Sequence, residues 1–440
     1  MAGTVAQQES ITHKRVLRIA VPIVLSNATV PILGAVDTGV VGQTGLAAPI
    51  GAVGLGAVML GAFYWLFGFL RMGTVGLTAQ AAGNSDPAEV SALLTRGLII
   101  GLSAGVLVLA LQLPLFWFAF YMAPASAEVE TLARQYMAIR IWSAPAAISL
   151  YALTGWLIAQ ERALAVLVVQ LAMNGTNILL DLWFVLGLEL GVPGVAWATF
   201  IAEWSGAALA LWFCRGVFAD AAWRAWDRVF AATIWLRMFR VNCDILIRSA
   251  LIEVIMLSFI FMGADMGDVT LAANQVLLQF VMITSYALDG FAFSAETLVG
   301  QAVGAKQRAM LRRAAAMSAL WAGAMALLIS IALALAGPAL IDLISKSPEV
   351  QAEARVYLIY LIAVPLLGVG AFLLDGIFAG ATRTRDMRNM MALSVLIYGL
   401  AAAIMVPVFG NHGLWAAMLV SFVARGVTLG LRYPALERTV

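Results

Sequence analysis

Apolar runs alternate along this chain with short clusters of charge, Gly and Pro, and twelve can be delimited, at roughly 16–41, 48–73, 92–121, 131–158, 163–187, 192–215, 234–262, 271–299, 309–337, 351–380, 388–410 and 413–433. A helix rising ~1.5 Å per residue needs about 20 residues to cross ~30 Å of hydrocarbon, so each run predicts one membrane helix, here segments one to twelve. Short segments of alternating hydrophobicity, the mark of a closed barrel, do not occur. The one sizeable polar interval, 216–233, carries Asp220, Arg224, Asp227 and Arg228 among Trp and Ala, and predicts a linker with a short surface helix. The run from Val16 is too long for a cleavable signal and reads as the first span.

Six runs lie on either side of that linker, and they repeat. Leu77-Thr-Ala-Gln80-Ala-Ala-Gly83 returns 221 residues later as Leu298-Val-Gly-Gln301-Ala-Val-Gly304. At the same offset Arg134 and Tyr136 meet Arg355 and Tyr357, Gly155 meets Gly376, and Arg162 meets Arg383. Such a duplication in a membrane chain predicts two six-helix lobes, with a binding site where the two copies face each other. The expected organisation is a cytoplasmic tail (1–15), a first lobe (16–215), the linker (216–233), a second lobe (234–433) and a second tail (434–440).

Charge orients the chain. Most Lys and Arg fall in one set of loops and ends, including Lys14, Arg15, Arg71, Arg96, Arg162, Arg224, Arg237, Lys306, Arg312, Arg383 and Arg432. The loops at 42–47, 188–191, 263–270 and 411–412 have none, and Lys346 and Arg355 are offset by Asp342, Glu349 and Glu353. Positive loops stay cytoplasmic, so both termini are expected in the cytoplasm of an inner-membrane protein. The two lobes then share one orientation, related by a pseudo-two-fold axis along the membrane normal.

Composition agrees: 63% of residues are hydrophobic and 11% charged, and mean hydropathy is +0.95. A net charge of +2, spread over scattered loops, gives nucleic acid no binding face. Cys214 and Cys243 suggest neither a zinc site nor a disulfide. Gly97, Gly101 and Gly105 recur every four residues in segment three, and Ala314, Ser318 and Ala322 take the matching face of segment nine, a pattern for close helix approach. Gly54-x-Gly56 lies inside an apolar run with no strand before it, so a dinucleotide turn is excluded.

Ionisable groups stranded in the spans carry the chemistry, because an Asp at the bilayer centre costs about 2.5–3.5 kcal/mol even on insertion scales. Asp37 lies towards the outer end of segment one, and Asn174, Asn177 and Asp181 share one face of segment five. Tyr136 and Thr199 reach a similar depth in segments four and six. Two carboxylates sharing a dry site repel, and a pair of this kind can take up and release protons. The second copy holds Glu253, Asp375, and Asp289 with Glu296, which read either as a sodium site or as a structural network with Arg248. Asp244 and Arg248, four apart, read as a plain helix pair. Pro22 and Pro31 interrupt segment one, so protonation of Asp37 could be coupled to the path of that helix.

Several of these stretches resemble the multidrug and toxic compound extrusion (MATE) family, in its DNA-damage-inducible-protein-F branch. They are Ala20-Val-Pro22, Asp37-Thr-Gly-Val-Val-Gly42, Asn177 with Asp181, Leu288-Asp-Gly-Phe-Ala-Phe-Ser-Ala-Glu296-Thr-Leu-Val-Gly-Gln301 and Leu374-Asp-Gly-Ile-Phe-Ala-Gly380. The resemblance implies an all-α protein whose two lobes enclose a V-shaped cavity, alternating access, and export driven by inward flow of H⁺ or Na⁺. It implies a protonation and substrate site at Asp37, Asn177 and Asp181, with bending at Pro22, and lining positions at Tyr136 and Thr199. Sodium-coupled relatives of another branch use second-lobe carboxylates placed like Glu253 and Asp375.

The leading expectation is therefore an antiporter exporting organic, cationic or amphipathic compounds, with no cofactor beyond the coupling ion and a monomer sufficient for activity. A flippase or exporter of a lipid-linked or polyanionic metabolite would need a basic cavity, for which only Arg248 and Arg140 speak. An intramembrane enzyme would need a nucleophile or metal cluster, and the two histidines, His13 and His412, form none.

Overall fold

The computed structural model describes residues 10–43 and 47–440. Helix is the only regular element among them. Among the described residues eleven helices are long and apolar enough to cross a membrane: Ala47–Gly83, Pro87–Ala110, Ala127–Ala159, Ala163–Gly187, Gly191–Phe213, Ala232–Ala264, Asp268–Gly304, Arg308–Ile344, Pro348–Gly380, Thr384–Phe409 and Asn411–Glu437. These are segments two to twelve. Segment one completes the set as two shorter helices, His13–Ala28 and Val30–Gly42, so the chain is an all-α, twelve-segment membrane protein. Part of the loop 42–47 lies outside the described residues.

The break in segment one falls at Thr29, not at Pro22. Helix His13–Ala28 runs through Pro22, whereas Pro31 takes an opening position of the next helix. Proline has no N–H to give the carbonyl four residues back, but in a first turn that donor is not needed. The linker likewise differs from a single surface helix. It forms three short turns, Arg215–Ala219, Ala221–Arg224 and Trp226–Val229. They are fixed to segment three by the fully buried Arg96, which donates to Val229 O at 2.8 Å and Arg228 O at 2.6 Å and pairs with Glu89 at 2.5 Å.

Two compact units result. One comprises Leu25–Thr78 and Asp86–Met238; the other comprises the described residues through Val24, Ala79–Ser85 and Phe239–Val440. In the first, the glycine stripe seats segment three against segment four. A Cβ at Gly97, Gly101 or Gly105 would meet Ala152 Cβ at 2.9 Å, Ser149 Cα at 2.8 Å and Pro145 Cα at 2.3 Å. In the second, Gly83 and Gly304 pack reciprocally, a Cβ on either lying 2.0 Å from the carbonyl oxygen of Gln301 or Gln80. Gln80 there donates to Gly380 O at 2.9 Å, and Arg15 donates to Gln301 Oε1 at 2.7 Å. The second unit's apolar core gathers Phe259, Leu277, Tyr357, Leu361, Trp415 and Met418.

The duplication extends into backbone detail. The left-handed residues Ser85 and Lys306, Glu161 and Thr382, and Glu189 and Gly410 form pairs at the repeat spacing. Gly155 abuts Arg71 O as Gly376 abuts Ala292 O, and Arg162 donates to Phe213 O as Arg383 does to Ala435 O. Because Gly105 faces backbone that cannot step aside, Gly105→Ala is expected to cost about 1–3 kcal/mol of overpacking strain. Gly323→Ala, with nothing within 4 Å of its new methyl, is the neutral control. Thermal unfolding of the two purified variants in detergent separates them.

Candidate functional site

In the first unit the expected residues converge. Asp37 is 8% exposed, Asn177 1% and Asp181 0%, on segments one and five. With its amide nitrogen turned to the acids, Asn177 donates to Asp37 Oδ1 at 2.9 Å and to Asp181 Oδ2 at 3.1 Å. Its oxygen accepts from Thr199 Oγ1 at 3.1 Å and Thr199 N at 3.3 Å, and this orientation satisfies every partner of the amide. The two carboxyl groups thus flank one amide nitrogen, each with an oxygen within 3.1 Å of it. Asp181 Oδ1 is buried and meets no donor among the described residues.

Local backbone sets this up. Asp181 closes the regular helix Ala163–Asp181, and the next turn, Leu182–Gly187, widens to π geometry, a departure that recurs at functional sites. Asn174, one face-turn earlier, donates to Thr29 Oγ1 at 2.9 Å, tying segment five to the break in segment one. Gly56 leaves room for the fully buried Tyr136 ring, whose Cδ1 would lie 2.6 Å from a Cβ there.

Two neighbours of this cluster were not singled out by sequence reading. Glu203, four residues after Thr199 on segment six, pairs with Arg140 at 2.8 Å, and Arg140 also donates to Tyr136 Oη at 3.2 Å. Tyr64 of segment two donates to the Arg140 carbonyl at 3.3 Å. That carbonyl is available because segment four tightens at Ile141–Ser143 before Pro145, where the Ala144 N–H bonds Ile141 O instead. The available signal was an acid alone in an apolar span.

The second-unit carboxylates are placed differently. Asp375 pairs with Arg248 and, at 2.8 Å, with Arg425 of segment twelve, both through Oδ2. Asp289 and Glu296 lie within electrostatic reach of Arg248, and Asp289 of Arg425. Glu253 stands apart, with no ion-pair or hydrogen-bond partner among the described residues, and no acidic or histidine cluster able to hold a metal occurs among them. The expected Asp244–Arg248 pair is not formed: Asp244 binds Arg388 at 2.6 Å and Thr384 at 3.1 Å, because segment eleven supplies donors closer than the next turn of segment seven. At the repeat positions of Asp37 and Asn177 stand Ser258 and Tyr398, which touch at 3.0 Å without a carboxyl.

The MatE family model matches residues 22–183 and again residues 245–405. DNA damage-inducible protein F of Escherichia coli (strain K12) is 36% identical over 424 residues, covering 95% of this chain and 91% of that protein. A probable multidrug resistance protein NorM of Rhizobium meliloti (strain 1021) is 28% identical over 464 residues, covering 98% and 95%. Among solved structures, a MATE in complex with MaD3S aligns with a TM-score of 0.85 at 19% identity over 97% of each chain. The Vibrio cholerae MATE transporter VcmN in its bent form aligns with a TM-score of 0.83 at 18% identity, again over 97% of each. At such identities the structural likeness concerns the fold alone. Members of the family are transporters and not enzymes, which excludes the intramembrane-enzyme reading. Matched twice by the family model and by a full-length relative, this multi-pass membrane protein belongs to the MatE family of multidrug and toxic compound efflux transporters.

Proposed function

We propose that the chain is a proton-driven antiporter that exports organic, cationic or amphipathic compounds across the cytoplasmic membrane by alternating access, acting as a monomer with both termini in the cytoplasm. The observation that carries this reading is the pair Asp37 and Asp181, buried and bridged by Asn177. A buried acid pair holding one proton is negative and attracts a cation; holding two, it is neutral and releases it. Proton and cationic substrate thus compete for one charge, and each favours the conformation that binds it better. The site needs no cofactor besides the ion.

Sodium is disfavoured by the second unit, where Asp375 already meets two guanidinium groups through one oxygen. A sodium ion needs several free oxygen ligands, and a carboxylate held by two arginines offers few. Relatives named as probable multidrug resistance proteins support the substrate class. A polyanionic substrate finds no unpaired basic centre at this site, since Arg140 is engaged by Glu203.

The test is transport of a cationic dye by proteoliposomes under separately imposed H⁺ and Na⁺ gradients. Dye movement that follows the proton gradient and ignores sodium is the expected result. Movement driven by sodium alone would overturn the assignment of the ion, and no dye movement under either gradient would overturn the substrate class.

A further inference from the structure

The half-buried pair Arg140 and Glu203 has no part in the bridging of Asp37 to Asp181, yet Glu203 stands one helical turn beyond Thr199, whose hydroxyl and N–H bond the Asn177 that bridges them. The charged and titratable groups acting on Asp37 are Asp181 from segment five, Arg140 from segment four and Glu203 from segment six, with Tyr136 of segment four facing it as well. On Asp181 they are Asp37 and Arg140. Tyr64 of segment two completes the surroundings through the Arg140 carbonyl.

Neither partner is saturated. Arg140 spends Nη2 on Glu203 and Nη1 on Tyr136, while its Nε is buried without a hydrogen-bond acceptor among the described residues. Glu203 Oε2 is likewise buried without a donor. Unmet donors and acceptors of this kind cost about 1–3 kcal/mol each, so an ion pair kept in this state has a use beyond packing. Two apolar residues of the same volume would stabilise the lobe at least as well.

Charge counting identifies that use. With one proton shared by Asp37 and Asp181, the four groups sum to one negative charge; with two protons they sum to zero. Delete the guanidinium and the same exchange runs between two negative charges and one. Delete Glu203 and it runs between zero and one positive charge. In a poorly polarisable interior these alternatives differ steeply, because Coulomb energies there are several times those in water.

We propose that Arg140, clamped by Glu203, is a positioning residue for proton exchange: the pair fixes the charge seen by Asp37 and Asp181, so that loading and unloading of a proton alternate between one negative charge and none. The proposal rests on the reading of Asp37 and Asp181 as the coupling site, and its test separates the two.

The full-length protein is reconstituted, an identical pH difference is imposed at a series of absolute pH values, and efflux of a cationic dye is followed for the wild type, Glu203→Gln, Arg140→Gln, the double variant, Glu203→Asp and Asp37→Asn. Glu203→Gln is expected to move the pH of half-maximal transport down by about one unit, and Arg140→Gln to move it up by a similar amount, the low end of what a neighbouring charge does to a carboxyl. The double variant returns close to the wild-type midpoint, and Glu203→Asp keeps it. Opposite shifts cancelling in the double variant are something a merely structural pair does not produce, and if Arg140→Gln fails to fold, Glu203→Gln and the double variant decide alone. Midpoints that stay fixed, or that move in one direction for both single variants, overturn the positioning role while an inactive Asp37→Asn leaves the coupling site standing. Normal proton-driven efflux by Asp37→Asn overturns the coupling site and this proposal with it.

Discussion

Replacing Asp37 by Asn is expected to reduce proton-driven efflux by on the order of a hundredfold, the upper range of a coupling free energy of ~1–3 kcal/mol, while leaving the protein folded. The contrast follows from shape. Asn fills the same volume, and its amide oxygen can accept from Asn177 as Asp37 Oδ1 does, so the hydrogen-bonded cluster closes around it. What is lost is the exchange: an amide has no proton to give up, and Asp181, with no second carboxylate repelling it, keeps its negative charge and no longer trades a cation for a proton. Thermal unfolding in detergent should therefore match the wild type while dye efflux under an imposed proton gradient falls to the leak rate. Asn177→Ala makes the opposite case. It removes the one group that donates to both acids, leaves two buried carboxyls with unmet oxygens, and is expected to lower stability by about 2 kcal/mol or more as well as transport. Efflux by Asp37→Asn equal to the wild type would remove Asp37 from the mechanism.

The first-unit site was legible because its members obey helical spacing. Asn174, Asn177 and Asp181 fall on one face, and an acid at Asp37 in an apolar run needs a partner from elsewhere. Glu203 carried the same signal and lies on the face of Thr199, but its partner Arg140 comes from another segment, and pairing between helices cannot be read from the spacing within one. That limit also explains the loss of the Asp244–Arg248 pair, where side chains of segments ten and eleven outcompete the neighbour four residues away. The break in segment one was expected from its prolines but settled by their positions. Pro31 opens the second helix, and Thr29 just before it is held by Asn174. The duplication was visible in Gly155 and Gly376 but not in the turn residues Ser85, Glu161, Glu189, Lys306 and Thr382, whose left-handed backbone no side-chain preference announces.

The second large effect is expected at Asp375, and it concerns stability more than coupling. Arg248 and Arg425 share its Oδ2, and Asp375 is 4% exposed, so Asp375→Asn leaves two guanidinium groups buried side by side without the carboxylate between them. Removing one partner of a buried ion network costs about 3–5 kcal/mol, because the surviving charges lose their attraction and keep their desolvation. The variant should accumulate poorly and unfold at a lower temperature in detergent, while the fraction that inserts and folds transports dye with the wild-type dependence on pH. Removing a cation at the same time should restore much of the loss: in Asp375→Asn with Arg425→Met, the remaining Arg248 still has Asp289 and Glu296 within reach. A cation-binding role predicts the reverse pattern. Sodium would then raise the unfolding temperature of the wild type by mass action, Asp375→Asn would abolish that rise, and the double variant would not recover it. The two acid clusters of this protein are thus distinguished by what their arginines do. In the second unit both guanidinium groups bind the acid directly and hold its charge in place, whereas in the first Arg140 is held on Glu203 and forms no ion pair with Asp37 or Asp181 among the described residues.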